Sequence, residues 1–283
     1  MKKNTVRRTL AMVAASAMAV GASVMGAATA SAALGKYVAF GDSFPANPGM
    51  TDAANGWERI GAGGCPQSAQ NVGHHVAWQT GLELHDWSCN GTVSYMPNTP
   101  ERTLLTQIDN ASASGHLQGA RLVTFFLGAN DAMQSFWAPS EMQDQLYVDN
   151  VRAAIDRVKA ESPQAQVMIV GYPEFISADP SHVACPINVG GVAPRIGAAP
   201  AKVYEDNLQH RQWRAASESG ATFLNMKERV NVNVGMCGDE NRLVSAFIDD
   251  NVDEYNMTNH LTHAGSIEFA QAIVDQSGMR FRD

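Results

Sequence analysis

Lys36-Tyr37-Val38-Ala39-Phe40-Gly41-Asp42-Ser43 is the stretch that decides the fold. Its apolar run is aromatic or β-branched apart from one alanine, which predicts a buried strand. Gly41 permits a tight turn, so the hydroxyl of Ser43 emerges at the carboxyl end of that strand. Ligands of parallel α/β sheets bind just outside such ends. Ser43 is therefore a candidate nucleophile, provided that a base and oxyanion donors come from elsewhere in the chain.

Three later apolar runs share the character of this first strand. They cover residues 122–127, 166–170 and 221–226. Each run is continuously apolar rather than alternating, which is typical of a parallel sheet covered on both faces.

Helical spacing of apolar residues lies between these runs. It predicts helices over residues 142–161, 203–218 and 266–277, and another that begins near residues 75–79. Alternating strands and helices predict a doubly wound α/β sheet with right-handed crossovers. We expect one domain over residues 33–283.

Two segments, Phe44–Cys65 and Ile176–Pro200, have the Gly- and Pro-rich composition of loops. Both follow strand ends, so we expect them to form the walls of a substrate cleft. The candidate walls carry four large apolar side chains among many small and polar ones: Phe44, Met50, Trp57 and Trp137. This mixed chemistry does not separate a lipid substrate from an acylated polysaccharide.

The first 32 residues have the pattern of a signal peptide. Four basic residues precede an apolar, Ala-rich run over residues 10–25, and Ala30-Ser31-Ala32 is a small-residue cleavage site. We expect cleavage after Ala32 and export of the protein to the cell envelope or beyond. The pair Arg7-Arg8 leaves the twin-arginine route open as an alternative. No later run approaches the ~18 apolar residues of a spanning helix.

The charge balance argues against two kinds of anionic partner. The leader holds four of the 20 Lys and Arg and none of the 28 Asp and Glu. The remaining 16 basic and 28 acidic residues give a formal charge of −12. This balance argues against binding to nucleic acid or, through a basic patch, to an anionic membrane.

Four short blocks in order make this chain resemble the SGNH hydrolases, the GDSL-type esterases and lipases. They extend from Gly41 to Gly265 and thus over nearly the whole mature chain. The blocks are Gly41-Asp42-Ser43, Cys89-Asn90-Gly91, Gly128-Ala129-Asn130-Asp131 and His260-Leu261-Thr262-His263-Ala264-Gly265. The residues that match the family name are Ser43, Gly91, Asn130 and His260.

The resemblance implies a three-layer α/β/α sandwich with a central, mostly parallel, flavodoxin-like sheet. It also implies that Ser43 is the nucleophile and His260 the base. The backbone N–H groups of Ser43 and Gly91 and the side-chain amide of Asn130 would form the oxyanion hole. Neither cofactor nor metal is implied. The residues alone leave ordinary alternatives open, because Ser is a common helix cap and Gly and Asn are common in turns.

His263 competes with His260 for the role of base. The family histidine precedes a glycine by five positions, a spacing that fits His260 and Gly265 but not His263. The family's usual aspartate, three residues before the histidine, is replaced here by Met257. We expect a Ser–His dyad in which the Met257 carbonyl orients the imidazole, with the upstream carboxylates of Asp253 and Glu254 as the alternative.

Cys65, Cys89, Cys185 and Cys237 are an even set in an exported chain, which indicates two disulfides. Three pairings are possible from the sequence alone. Short loop closure and the family resemblance favour Cys65–Cys89 and Cys185–Cys237. A zinc site is the rival interpretation, but no Cys-x-x-Cys pair supports it.

The resulting hypothesis is a secreted, monomeric serine esterase or lipase that acts on a small-molecule, lipid or acylated glycan ester. One alternative is an O-deacylase of polysaccharide or envelope glycan. Another, of a different class, is an inactive glycan-binding module that has lost the catalytic acid. The sequence predicts neither the acyl length nor the alcohol of the substrate.

Overall fold

A computed structural model describes residues 34–49, 61–95, 102–134, 138–253 and 256–281. The predicted signal peptide, the wall candidates Met50, Trp57 and Trp137, and the carboxylate of Glu254 lie outside the described residues.

A five-stranded, wholly parallel sheet forms the centre of the fold. The strands of the described chain are β1 (Lys36–Gly41), β2 (Glu83–Asp86), β3 (Ala120–Phe126), β4 (Gln166–Val170), β5 (Val183–Ala184), β6 (Ile187–Asn188), β7 (Ile196–Gly197), β8 (Thr222–Leu224) and β9 (Ile248–Asp249). The order in the central sheet is β2-β1-β3-β4-β8. The predicted parallel α/β sheet is therefore confirmed, with β1 between β2 and β3.

Helices cover both faces of this sheet. They are α1 (Ser43–Ala46), α2 (Val72–Thr80), α3 (Leu104–Ala113), α4 (Ala129–Gln134), α5 (Ser140–Glu161), α6 (Ala199–Ser219) and α7 (His263–Ser277). Helix α6 begins four residues before the predicted start. Pro200 is tolerated in its first turn, because the N–H that proline lacks would have no partner in the helix at that position. No helix of the described residues combines the length and apolar composition needed to cross a membrane.

The alternating side chains of β1 divide the core into two layers. Tyr37 and Ala39 pack in one apolar cluster with α2 and α7, represented by Phe269. Val38 and Phe40 pack in the other cluster with α3 and α5. Burying one large apolar side chain stabilises the fold by about 1.5–3 kcal/mol. This packing gives the three-layer α/β/α sandwich.

The segment from residue 176 to 200 is more ordered than the sequence predicts. Strands β5 and β7 pair antiparallel, and β6 pairs in parallel with the distant β9. A disulfide joins Cys185 to Cys237 with a Cα–Cα distance of 5.1 Å. A small apolar cluster that includes Ile176 and Met236 lies around this bridge. The predicted loop therefore contains short strands and is held in place by a disulfide. We call residues 176–200 the braced segment.

The second disulfide lies next to the carboxyl end of β1. Cys65 is joined to Cys89 with a Cα–Cα distance of 5.4 Å, and the Cys89 amide donates to the Gly41 carbonyl at 3.0 Å. Both pairings agree with those implied by the family resemblance.

Candidate active site

The turn after β1 places Ser43 at the start of α1. Asp42 is the helix N-cap, and its carboxylate accepts a hydrogen bond from the Phe44 amide at 2.9 Å. A Cβ atom on Gly41 would lie 2.4 Å from Pro45 Cγ and 2.5 Å from the Phe126 carbonyl oxygen. Only glycine fits between the strand and the helix at this position.

His260 reaches Ser43 across the carboxyl edge of the sheet. Its Nε2 lies 2.8 Å from Ser43 Oγ, and its Nδ1 lies 2.8 Å from the Thr258 carbonyl oxygen. A carbonyl can only accept a hydrogen bond, so Nδ1 carries the proton and Nε2 is free to accept one from the serine. The two groups are therefore arranged as a base and a nucleophile.

The expected role of the Met257 carbonyl is wrong by one residue. That oxygen accepts hydrogen bonds from Ser245 Oγ at 3.0 Å and Asn256 Nδ2 at 3.3 Å instead. Asn259 has a φ of 58°, in the left-handed region, and this reversal of the chain turns the Thr258 carbonyl back toward the ring. Within the described ranges, no carboxylate contacts the imidazole; Glu254 lies outside them.

Burial sets the protonation state of His260. It lowers the pKa of the imidazole, and the hydrogen bond to Thr258 opposes that decrease only in part. The Phe44 ring stacks on the imidazole with centroids 4.6 Å apart. The low-dielectric contact disfavours the charged ring, so His260 is neutral and able to accept a proton near pH 7.

Asn47 holds the histidine loop against the nucleophile helix, and sequence reasoning missed it. Its Nδ2 donates to the Leu261 carbonyl at 2.8 Å, and its Oδ1 accepts from the Met257 amide at 3.0 Å. Asn47 is fully buried and caps α1 with a φ of 42°. The only signal in the sequence was an Asn where a short helix ends, and this is equally typical of a turn.

Gln107 of α3 connects the Gly91 turn to the carboxyl end of β1. Gln107 Nε2 donates to the Gly41 carbonyl at 3.0 Å and to Thr92 Oγ1 at 2.9 Å. Gly91 itself has a φ of 78°, a conformation that strains other residues. The turn is thereby fixed at the carboxyl end of β1. Gln107 was not predicted because α3 was not.

Asn130 lies at the start of α4 and lines the same cavity as Ser43 and His260. Its side-chain amide donates one hydrogen bond to the Thr92 carbonyl at 3.0 Å. A primary amide has two N–H donors, so this contact fixes the group and still leaves a donor for another acceptor.

The buried aspartates of the motifs stabilise turns. Asp131 accepts from the amide and hydroxyl of Ser94 at 2.8 and 2.7 Å. Asp42 accepts from the Tyr172 hydroxyl, which in turn accepts from the Ala129 amide at 3.2 Å. Burial raises the pKa of Asp42 to about 7 and that of Asp131 to about 6, against the effect of these hydrogen bonds.

The remaining candidates lie beside the site. His263 is exposed at the first position of α7, and its ring contacts His75 with centroids 5.4 Å apart. Asn90 donates to the Met257 sulfur at 3.6 Å, and its carbonyl accepts from Arg102. The structure thus brings His260, not His263, to Ser43.

A cavity of about 440 Å³ opens next to the Ser43–His260 pair. Its walls are mainly apolar. Among the residues that line it are Met133 of α4, Leu208 of α6, Ile196 of β7, Phe175 and Phe247, which precedes β9.

The cavity wall also holds one neutralised carboxylate. Glu205 forms an ion pair with Lys227 at 2.9 Å and accepts from the Phe175 amide at 2.8 Å. Because Lys227 balances the charge of this carboxylate and the other walls are mainly apolar, the cavity has the character of an apolar side-chain or acyl-chain pocket.

Comparison with known proteins gives a match to one family model. The model of the GDSL-like lipase/acylhydrolase family matches residues 39–266. No curated protein sequence matches the chain.

Solved structures show the same fold at low identity. A phospholipase A1 from Streptomyces albidoflavus NA297 has a TM-score of 0.57 at 16% identity, over 86% of this chain and 99% of the other. An extracellular lipase from Streptomyces rimosus has a TM-score of 0.54 at 18% identity, over 86% and 99%. A carbohydrate acetylesterase from Sinorhizobium meliloti has a TM-score of 0.51 at 18% identity, over 86% and 98%.

Proposed function

Because this chain belongs to the GDSL-like lipase/acylhydrolase family, we propose that it hydrolyses carboxylic esters through a Ser43–His260 dyad. The observation that carries the proposal is the 2.8 Å contact between Ser43 Oγ and His260 Nε2 at the wall of an apolar cavity. The ester hydrolase class follows from the family, and the assignment of these two residues is our inference.

Hydrolysis proceeds in two stages. Ser43 Oγ attacks the ester carbonyl carbon while its proton passes to His260 Nε2. The bond to the alcohol then breaks, and His260 returns the proton to the departing oxygen. Water attacks the resulting acyl-serine with His260 again as base, which releases the carboxylic acid and restores the serine.

The oxyanion of each tetrahedral intermediate needs preorganised donors. We assign these to the backbone N–H groups of Ser43 and Gly91 and to the free N–H of the Asn130 amide. The hydrogen bonds of Gln107 and Thr92 support this assignment because they fix the Gly91 turn and Asn130 before substrate binds.

The cavity favours an aliphatic acyl group over acetate. An acetyl group would leave most of the 440 Å³ unfilled and most of the apolar wall uncovered, whereas each methylene of a longer chain adds about 0.8 kcal/mol of burial. The lipase alternative is thus preferred to glycan O-deacylation. The intact constellation around Ser43 likewise favours an active enzyme over an inactive glycan-binding module.

Secretion is part of the same proposal. The leader pattern over residues 1–32 and two disulfides in the remaining chain fit an oxidising compartment, where such bridges persist. We assign residues 33–283 to a single hydrolase domain.

Labelling with a fluorophosphonate probe tests the nucleophile. We expect the wild-type protein to be labelled and Ser43→Ala to be neither labelled nor active, with turnover reduced by several orders of magnitude. His260→Ala should be nearly as damaging, whereas the matched control His263→Ala should keep most activity. Labelling of Ser43→Ala at the wild-type rate would remove Ser43 from the mechanism.

A chain-length series tests the substrate class. Nitrophenyl esters from acetate to longer acyl groups, assayed beside acetylated polysaccharide, should show kcat/KM increasing beyond acetate. Highest efficiency on acetyl esters would instead support the deacylase alternative.

A further inference from the structure

We propose that the apolar rim of the cavity docks on the surface of an uncharged or zwitterionic lipid aggregate. The rim comprises Ile187, Val189, Val192, Ile196, Phe247 and Ile248. The inference rests on the proposed function, and it adds where the substrate is encountered: the acyl chain passes from the aggregate into the cavity without crossing bulk water.

The rim is a contiguous set of exposed apolar side chains. Phe247 and Ile196 line the cavity and are still 59% and 50% exposed. Ile248 follows Phe247 and is the register partner of Ile187 across β6 and β9, so the two side chains share one face. A surface of this kind around a pocket mouth marks an interaction site.

The hairpin next to the cavity extends this surface. Val189 and Val192 pair across a Gly190-Gly191 turn, and Val192 is 66% exposed. Four of the six rim residues lie within the short braced segment and a fifth, Ile248, pairs with it, so most of the apolar surface is carried by one short stretch of chain.

The rim is held rigidly rather than as a mobile lid. The Cys185–Cys237 disulfide anchors the braced segment, and Asn188 Nδ2 donates to the carbonyls of Met236 and Gly238 at 3.0 and 2.9 Å. Strand β9 is fixed by the ion pair between Asp249 and Arg242. A rigid rim loses little conformational entropy when it docks.

The charged groups beside the rim have partners within the protein, and the partner of Arg195 is a neutral amide. Asp250 contacts Arg242 at 2.7 Å and accepts from the Gly190 amide at 2.7 Å, while Arg195 donates to Asn233. The rim therefore presents no cluster of free cations for anionic headgroups. With a mature charge of −12, the molecule is repelled from an anionic lipid surface and fits a neutral or zwitterionic one.

Vesicle flotation of the Ser43→Ala protein tests this docking independently of turnover. We expect it to float with phosphatidylcholine vesicles and with neutral lipid emulsions. The double variant Val192→Asp/Ile248→Asp should lower the partition coefficient at least about tenfold, since it puts two charges where apolar surface enters the lipid interface. Neither residue lines the cavity, so in an otherwise wild-type chain the double variant should hydrolyse a soluble nitrophenyl ester at the normal rate.

The matched control is Trp78→Asp/Trp213→Asp, which adds the same charge and removes more exposed apolar surface away from the rim. It should float like the parent protein. Equal flotation of the rim variant and the parent, or stronger binding to anionic vesicles, would overturn the proposal. So would rim-dependent dimerisation in solution without flotation, because the rim would then bind a second copy of the chain. None of these outcomes depends on whether Ser43 is the nucleophile.

Discussion

Thr258 gives the imidazole of His260 its direction through a peptide oxygen rather than a carboxylate. A carbonyl fixes the tautomer by accepting the Nδ1 proton at 2.8 Å. It has no full negative charge to stabilise the imidazolium that forms during turnover, which a triad aspartate supplies. Under the proposed mechanism, catalysis therefore relies on Ser43, the assigned oxyanion donors and the neutral state of the buried ring.

Removal of either carboxylate upstream of His260 should have a small effect on turnover. Asp253→Asn and Glu254→Gln should each keep turnover within about tenfold, or under ~1.4 kcal/mol of barrier. Thr258→Ala should also keep most activity, because the accepting oxygen belongs to the backbone. A thousandfold decrease in kcat for either carboxylate variant, with the circular dichroism spectrum intact, would show that an acid completes the site after all.

The pH dependence follows from the lowered pKa of His260. Only the neutral ring can accept the serine proton, and burial keeps the ring neutral to a lower pH than the ordinary ~6.5. The acid limb of the kcat profile should therefore have its midpoint below 6.5, with full activity retained above it. An acid midpoint clearly above 6.5 would mean that the imidazolium is stabilised by a negative group.

At the scale of elements, the site is a junction between the ends of β1 and β3 and the loop before α7. Short local patterns such as Gly-Asp-Ser and His-x4-Gly predict the residues that meet there. They do not predict which carbonyl faces the ring, because that depends on the left-handed turn at Asn259. The sequence also does not predict strand β2, because Glu-Leu-His-Asp is largely polar, as an edge strand allows.

We expect Asn47 to contribute both to the stability of the fold and to turnover, because it joins α1 to the histidine loop. Asn47→Ala removes both hydrogen bonds to the histidine loop and leaves buried groups unpaired, which costs about 1–3 kcal/mol of unfolding free energy. We expect kcat to fall with little change in KM, because the cavity walls are untouched. Chemical denaturation and initial-rate measurements provide the two readouts.

Asn47→Gly is the informative companion, because glycine adopts the left-handed backbone without strain but lacks the side-chain amide. It should be nearly as impaired as Asn47→Ala. Recovery of wild-type kcat and stability in the glycine variant would assign the role of Asn47 to its backbone rather than to its hydrogen bonds.

For the whole molecule, the two disulfides close loops of different length and support different parts of the surface. Cys185 and Cys237 are separated by 52 residues, Cys65 and Cys89 by 24. In the chain-entropy model, the longer bridge stabilises the fold by about 4 kcal/mol and the shorter by about 3.5 kcal/mol. Mass mapping of the non-reduced protein should find these two pairs.

Removing each disulfide in turn should distinguish binding to lipid vesicles from ester hydrolysis. Cys185→Ser/Cys237→Ser should reduce vesicle flotation as well as thermal stability, because this disulfide anchors the apolar rim. Cys65→Ser/Cys89→Ser should reduce turnover on soluble esters more, since Cys89 bonds to the end of β1. Loss of flotation in the second variant alone would contradict the assignment of the rim.

Ser43 and His260 are 217 residues apart, so the pair forms only after the chain has been synthesised through residue 260 and has folded. A ribosome-bound fragment, or a product clipped ahead of residue 260, carries the nucleophile without its base. Such a product therefore lacks the pair to which we assign ester hydrolysis. Ester hydrolysis would therefore report only molecules whose chain is intact through residue 260.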